Sequence, residues 1–346
     1  MKKVFPATPK LSDVARLAGV GNATVSRVLN GHEHVSEETN RRVKQAISDL
    51  RYSPNRIARS LKGATSGIIG MIVPSISDMF FSQCAEAVEI VARKYGSLLI
   101  VMASHDNPVI EFENLHQLLL HRIDGLILSS AQSHNAKLYK ELRGVTVPVV
   151  GLDRPLQEAN IPSVISENRE GAKAATAHLL AHGYDKVLCI HIKPELYPIQ
   201  ERLRGYTQTM SEAGLRPLLY KVENAEDTMK CLKEHFGVEG KKIAVFAANN
   251  LAARFTWEAI RMLHLAIPSQ VAIVCFDDFD LADSLTPPMS VVQQTIDDLG
   301  RTAAELLFQR MRDSKTENSS ADVGDPIRFS TQLIIRESCG CHSIKK

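Results

Sequence analysis

A chain of 346 residues, 44 % apolar and 23 % charged, has room for two or three domains with ordinary globular cores. It holds no uncharged apolar run of about 18 residues, which excludes a bilayer-spanning helix; the opening MKKVFPATPK lacks the apolar stretch of a secretory signal, so a cytoplasmic protein is expected. The net charge of +2 hides an asymmetry: residues 1–63 carry twelve Lys and Arg against five acids, a net +7, and the rest carries 29 against 34, a net −5. A basic head on an acidic body points to a polyanion as partner for the head.

Three helical patterns fill the head. The first covers Leu11–Ala18, with Val14, Ala15 and Leu17/Ala18 at inward spacing and Gly19 as its C-cap. After a turn at Val20 and Gly21, the second covers Ala23–Asn30, stopped by Asn30-Gly31. The third covers Ser36–Arg51; Ser36 suits an N-cap, Glu37 and Glu38 suit the positive helix end, and Val43, Ala46, Ile47 and Leu50 form its apolar stripe. Helix, glycine-containing turn and second short helix form a helix-turn-helix, whose second helix enters the DNA major groove. Asn22, Ala23, Thr24, Ser26, Arg27 and Asn30 then face outward. Arg27 can donate a bidentate pair to guanine, Asn22 can read adenine or hold phosphate, and Thr24 and Ser26 suit phosphate contacts. The plain alternative is a three-helix bundle with a solvated Arg27.

Asp13 to Asn30 reads D-V-A-x-x-A-G-V-x-x-x-T-V-S-R-V-L-N, and Tyr52 to Lys62 reads YSPNRIARSLK. The first resembles the signature of the lac repressor family of regulators, and the second that family's hinge segment, in the form of its purine-repressor branch. The likeness extends across nearly the whole chain. It implies that Asn55–Leu61, too short to be helical alone, folds as a hinge helix beside its dimer mate in the minor groove. There Leu61 wedges into a base step and Asn55, Arg56, Ala58, Arg59 and Lys62 lie against the duplex. The sequence departs from the family at two N-cap positions, with Gly21 for Ser and Lys10 for Thr, which weakens both caps.

From Gly67 the pattern alternates. Apolar runs at Ile68–Val73, Ser97–Met102, Gly125–Leu128, Val147–Gly151 and Val164–Ser166 read as buried strands, with helices at Phe80–Tyr95 and Glu111–His121 between them. Strands at Lys186–His191, Ile243–Ala247 and Val271–Phe276 repeat the scheme, with helices at Gly171–His182, Gln200–Ala213 and Asn250–Leu263. Such alternation means parallel sheets covered on both faces. The fold class is therefore an all-α helix-turn-helix headpiece plus an α/β sensor with two doubly wound parallel-sheet subdomains, which the resemblance identifies as periplasmic-binding-protein-like. The expected organisation is a headpiece at 1–53, a hinge and linker at 54–66 and a sensor at 67–346. The chain should recross near 291–294, giving an N-subdomain of about 67–166 and 293–328 and a C-subdomain of about 167–292 and 329–346. The polar stretch Asp313–Asp325 reads as a surface loop before a strand at Gln332–Arg336, with no leucine heptads behind it.

Ligands bind beyond the C-terminal ends of such strands. Asp153 and Arg154, Asn249 and Asn250, and Asp277 and Asp278 occupy those places, and Arg202 opens R-L-R-G-Y, similar to the family's R-x-x-G. The resemblance puts Arg202, Asp277 and Asn249 first as ligand contacts, then Asp153, Phe80 and Ser129. Four further departures stand out: Asn250 for the usual Asp, Glu167 for the Asp of an Asp-Asn pair, Cys275 for Gly, and no aromatic within Glu223–Lys230. Arg154 and Arg202 beside a lost acid favour an anionic ligand, so a sugar or sugar acid is expected, with a purine as the alternative.

Five of the six cysteines are scattered or in apolar surroundings, as reduced thiols would be. A metal reading of Cys339-Gly-Cys341 needs two more ligands and the neighbouring sequence offers only His342, so the pair reads as a plain C-terminal tail with no metal. No phosphate loop, H-E-x-x-H or nucleophile elbow is present, and Gly63-x-x-x-Gly67-x-x-Gly70 precedes a strand, so neither an enzyme nor a cofactor is expected. A solute-binding protein of the same fold would need a signal peptide and has no use for residues 11–62. The reading is a homodimeric regulator, most simply a repressor, on a pseudopalindromic DNA operator, controlled by a small effector and independent of membranes.

Overall fold

The computed structural model describes residues 9–29, 35–52, 65–132, 135–184, 186–236, 242–314 and 325–341. The chain divides into two compact units, Met1–Ser66 and Gly67–Lys346. In the first, α1 (Leu11–Ala18), α2 (Asn22–Leu29) and α3 (Glu37–Asp49) enclose a small core of Val14, Ala15, Ala18, Val25, Val43 and Ala46. Gly19 caps α1 in the left-handed region at φ 62°. Arg42 of α3 donates to the Ala18 and Gly19 carbonyls, satisfying acceptors that the helix end leaves open. Lys10 lends no side chain to the cap; the Asp13 carboxylate instead accepts the Lys10 N–H at 2.9 Å. Ser36 caps α3 by accepting from the Thr39 N–H at 3.3 Å. One inward assignment fails: Leu17 is 54 % exposed, because 100° per residue carries it off the stripe formed by Val14, Ala15 and Ala18.

The second unit holds two six-stranded sheets. The first contains β1 (Ile68–Val73), β2 (Leu98–Ala103), β3 (Gly125–Leu128), β4 (Val149–Leu152), β5 (Ser163–Ser166) and β11 (Ile327–Phe329), in the order β11-β5-β4-β3-β1-β2, all parallel. One face packs on α4 (Met79–Lys94) and α11 (Ile296–Asp313), the other on α5 (Pro108–Leu120) and α6 (Ala136–Gly144). The second sheet contains β6 (Val187–His191), β7 (Leu218–Lys221), β8 (Ile243–Ala247), β9 (Val271–Phe276), β10 (Ser290–Gln294) and β12 (Thr331–Ile334), in the order β12-β10-β9-β8-β6-β7. Only β12 runs antiparallel within it. Its faces are covered by α7 (Asn168–Ala181) and α8 (Tyr197–Glu212), and by α9 (Ala225–Phe236) and α10 (Asn250–Met262).

Burial on both faces is what runs such as IIGMIV and VAIVCF require, and β9 is buried at every position. Each large side chain removed from water there contributes about 1.5–3 kcal/mol. The chain crosses between sheets at Glu167, Thr295 and Ser330. The second crossing follows Gln294, at the end of the expected 291–294 window, because β10 stays paired with β12 as far as Gln294–Thr331.

Candidate ligand cleft and DNA-reading helix

On α2, Val25 is buried in the headpiece core, which turns Asn22, Ala23 and Arg27 to the surface and leaves Thr24 and Ser26 half-buried. The remaining expected DNA contacts (Asn30, Asn55, Arg56, Ala58, Arg59, Leu61 and Lys62) lie outside the described residues.

Between the strand ends of the two sheets lies a cavity of about 710 Å³. Of the candidates read from sequence, Arg202, Asp277, Asn249, Asp153, Arg154 and Phe80 line it. Ser129 does not: it is fully buried behind the wall, its N–H donates to the Ile72 carbonyl, and its hydroxyl has no hydrogen-bond partner among the described residues.

The C-terminal half of the cleft centres on Arg202. Gly205, one turn further along α8, lets that helix press on α7; a Cβ there would stand 2.3 Å from the Arg169 carbonyl. So placed, Arg202 is 3 % exposed and fully engaged. Its Nε donates to Asn168 at 2.8 Å, and one terminal nitrogen donates to the Ala248 carbonyl and to Asp277, both at 2.9 Å. The other reaches Asp277 at 3.4 Å, and the guanidinium lies 3.7 Å from the centre of the Phe276 ring. Gln294 donates to the same Asp277 carboxylate at 2.5 Å. Asn249 spends its carbonyl oxygen on the Ala252 N–H, capping α10 at 2.8 Å.

The N-terminal half repeats the device less completely. Asp153 and Asp277 both sit just past a central strand in the left-handed region, at φ 64° and 76°, and each N–H donates to the neighbouring strand, at Val164 and Val292. Non-glycine residues hold that conformation only where the surroundings enforce it. Arg154 donates to Asp106 at 2.8 Å and to the Ser130 carbonyl at 2.5 Å, but its buried Nε has no hydrogen-bond partner among the described residues and stands 3.7 Å from Asp153. Burial pushes the Asp153 carboxyl up to about 6, against the pull of Arg154 and Arg202. Burial also raises Asp78. At Asp106 burial pushes the same way, but Arg154 and Lys193 outweigh it and hold the carboxyl below its ordinary value.

Two side-chain hydrogen bonds cross the cleft among the described residues. Lys193 donates to Asp106 at 2.5 Å, and Asn250 donates to Asp78 at 3.3 Å. The second accounts for a departure noted in the sequence: an Asp at position 250 would set one carboxylate against another, whereas Asn supplies a donor. Asp106 and Lys193 follow β2 and β6, so the strand-end rule applied to every strand would have found them. Trp257, the one tryptophan of the chain, also lines the cavity from within α10, where only its rarity marks it.

Residues 10–55 match the sequence model of the bacterial regulatory proteins of the lacI family, and residues 66–333 match that of the periplasmic binding proteins and sugar-binding domain of the LacI family. The chain belongs to the LacI family. This LacI-family chain is a DNA-binding transcriptional regulator with a ligand-binding sensor domain, and not an enzyme. It is 33 % identical to the ribose operon repressor of Halalkalibacterium halodurans over 95 % of this chain and 96 % of that one. It is 29 % identical to the transcriptional repressor PurR of Photobacterium profundum over 95 % and 98 %. A lac repressor dimer bound to operator and the anti-inducer ONPF superposes with a TM-score of 0.83 at 26 % identity, covering 96 % of this chain and 99 % of that one. A CelR–cellobiose complex superposes with a TM-score of 0.66 at 28 % identity, covering 95 % and 99 %. Among the described residues no helix is long and apolar enough to cross a membrane.

Proposed function

We propose that this chain is a homodimeric, cytoplasmic transcriptional repressor whose grip on a pseudopalindromic operator is set by a neutral, hydroxyl-rich ligand, a pentose or hexose, in the sensor cleft. The observation that carries the ligand class is the pairing of charges. Arg202 is matched by Asp277, and Arg154 and Lys193 by Asp106, while Asp78 and Asp153 remain as further acids. Arg254, the other cation on the cavity wall, is exposed and 3.8 Å from Glu258. Among the described residues the inward cations Arg154, Lys193 and Arg202 face four carboxylates on the cavity wall. A sugar acid would add charge to an already acidic site, so the preference for an anionic ligand read from Arg154 and Arg202 gives way to a neutral one. Carboxylates and amides arranged in this way accept from and donate to paired hydroxyls, while Phe80, Trp257 and Phe279 offer apolar faces to a sugar ring. The relatives named for ribose and sucrose operons agree with this class.

On the DNA side, Asn22, Ala23, Thr24, Ser26, Arg27 and Asn30 read the major groove, while Asn55, Arg56, Ala58, Arg59, Leu61 and Lys62 serve the minor groove and its phosphates. Dimerisation is supported by β2, an edge strand with half-exposed apolar residues, and by exposed Ile90, Leu98 and Leu120. The single Trp257 makes the test direct. Fluorescence titration with pentoses, hexoses, sugar acids and purines should give saturable binding only with a neutral sugar. The same sugar should change the operator mobility shift. Tight binding of a sugar acid or a purine, with none of neutral sugars, would overturn the ligand assignment.

A further inference from the structure

The Cys339-Gly340-Cys341 turn has neighbours that its local sequence does not show. Among the described residues, His178, His182 and Cys341 form a group whose ligand atoms all lie within 4.8 Å of one another. His178 lies in the last turn of α7 and His182, four residues on, is its C-cap, with ring centroids 4.5 Å apart. The His182 Nε2 is 2.9 Å and the His178 Nε2 3.8 Å from the Cys341 Sγ. An ion with ordinary tetrahedral bonds to nitrogen and sulfur holds those two atoms about 3.5 Å apart, between the two observed values.

Two further features fit a bound cation. The His182 Nδ1 donates to the His178 carbonyl at 2.9 Å, which fixes the tautomer and leaves the Nε2 lone pair aimed at the thiol; metal-bound imidazoles are typically held by this kind of contact. The site lies at the C-terminal, negative end of a helix. The buried Cys339 thiol stands outside this group and donates to the Arg336 carbonyl at 3.4 Å. Gly340 makes the turn possible: its φ is 100°, and a Cβ there would stand 3.0 Å from the Tyr184 hydroxyl. The tail leading into the turn is anchored, since the Ser338 hydroxyl donates to the Ile273 carbonyl at 2.7 Å and accepts the Ser290 N–H at 2.8 Å.

We infer that His178, His182 and Cys341 form a binding site for a thiophilic divalent ion of the zinc type, which clamps the C-terminal tail to α7. Two neutral imidazoles and one thiolate hold the ion, and three protein ligands leave a fourth position for water. Binding releases the one thiol proton to solvent, with no change of oxidation state.

The test uses the full-length, reduced, chelator-washed protein and Co²⁺ as a spectroscopic probe. One Co²⁺ per chain should bind, with a thiolate-to-cobalt charge-transfer band and strong tetrahedral d–d bands that Zn²⁺ bleaches. His182→Ala and Cys341→Ser should each weaken binding at least about tenfold, and Cys231→Ser should leave it unchanged. His182 is exposed and Cys341 only half-buried, so neither substitution opens the core. Bands that survive in both variants, binding without a thiolate band, or a Cys339–Cys341 disulfide that forms under these conditions and admits no Co²⁺ would each overturn the assignment.

Discussion

The two halves of the cleft carry the same parts in different states of completion. In both, an aspartate with positive φ follows a central strand and faces an arginine. In the C-terminal half every nitrogen of the arginine has a partner: Arg202 donates to Asn168, Ala248 and Asp277 and lies against an aromatic face. In the N-terminal half Arg154 keeps a buried Nε without a hydrogen-bond partner among the described residues, and burial raises the adjacent Asp153. Buried polar groups left short of partners cost about 1–3 kcal/mol each, so the N-terminal half has more to gain from a ligand's hydroxyls. On this account the C-terminal half is the preorganised seat, and the N-terminal half completes its hydrogen bonds when the ligand arrives.

The largest expected effect comes from breaking the C-terminal half. Arg202→Ala leaves the Asp277 carboxylate with the neutral Gln294 donor but no cation and should cost about 3–5 kcal/mol in thermal unfolding of the sensor, with sugar binding, read by Trp257 fluorescence, lost. Arg154→Ala should cost less, about 2 kcal/mol, because Lys193 still holds Asp106; a loss equal to that of Arg202→Ala would erase the contrast.

A pH effect of similar size comes third. The Asp153 carboxyl is raised in the folded state to about 6 from an ordinary value near 4. The folded chain therefore holds that proton more tightly than the unfolded one. The resulting stabilisation is fully present below about pH 4 and is lost as pH rises through about 6. Asp153→Asn should remove this limb, worth about 2–3 kcal/mol across the interval, from melting curves recorded between pH 4 and 7. The smallest effect belongs to the bridge: Lys193 is 45 % exposed, so Lys193→Ala should change stability by less than about 1 kcal/mol, while weakening sugar binding measurably because one cleft-crossing contact is gone.

Much of the architecture could be read from the chain because central strands buried on both faces appear as unbroken apolar runs. Among the elements that escaped, β7 half-buries only alternate residues, β11 is largely exposed, and α6 and α9 are short amphipathic helices. β10 and the 18-residue α11 escaped as well, although both carry an apolar pattern. Asp153 and Asp277 could be located because a strand end is a local feature. Their pairing could not, since it depends on which loops the fold brings together, and that pairing turns the charge argument from an anionic to a neutral ligand. The Cys339–Cys341 turn shows the same limit: its histidine neighbour His182 is 159 residues away in the chain.

The most direct test of the central claim is operator affinity, measured by mobility shift with the full-length protein, with and without the sugar that perturbs Trp257. The account predicts a change of at least about fivefold in the wild type, loss of sequence-specific binding in Arg27→Ala, and specific binding without a sugar response in Arg202→Lys. Operator affinity that is identical with and without saturating sugar, or specific binding undiminished in Arg27→Ala, would contradict it.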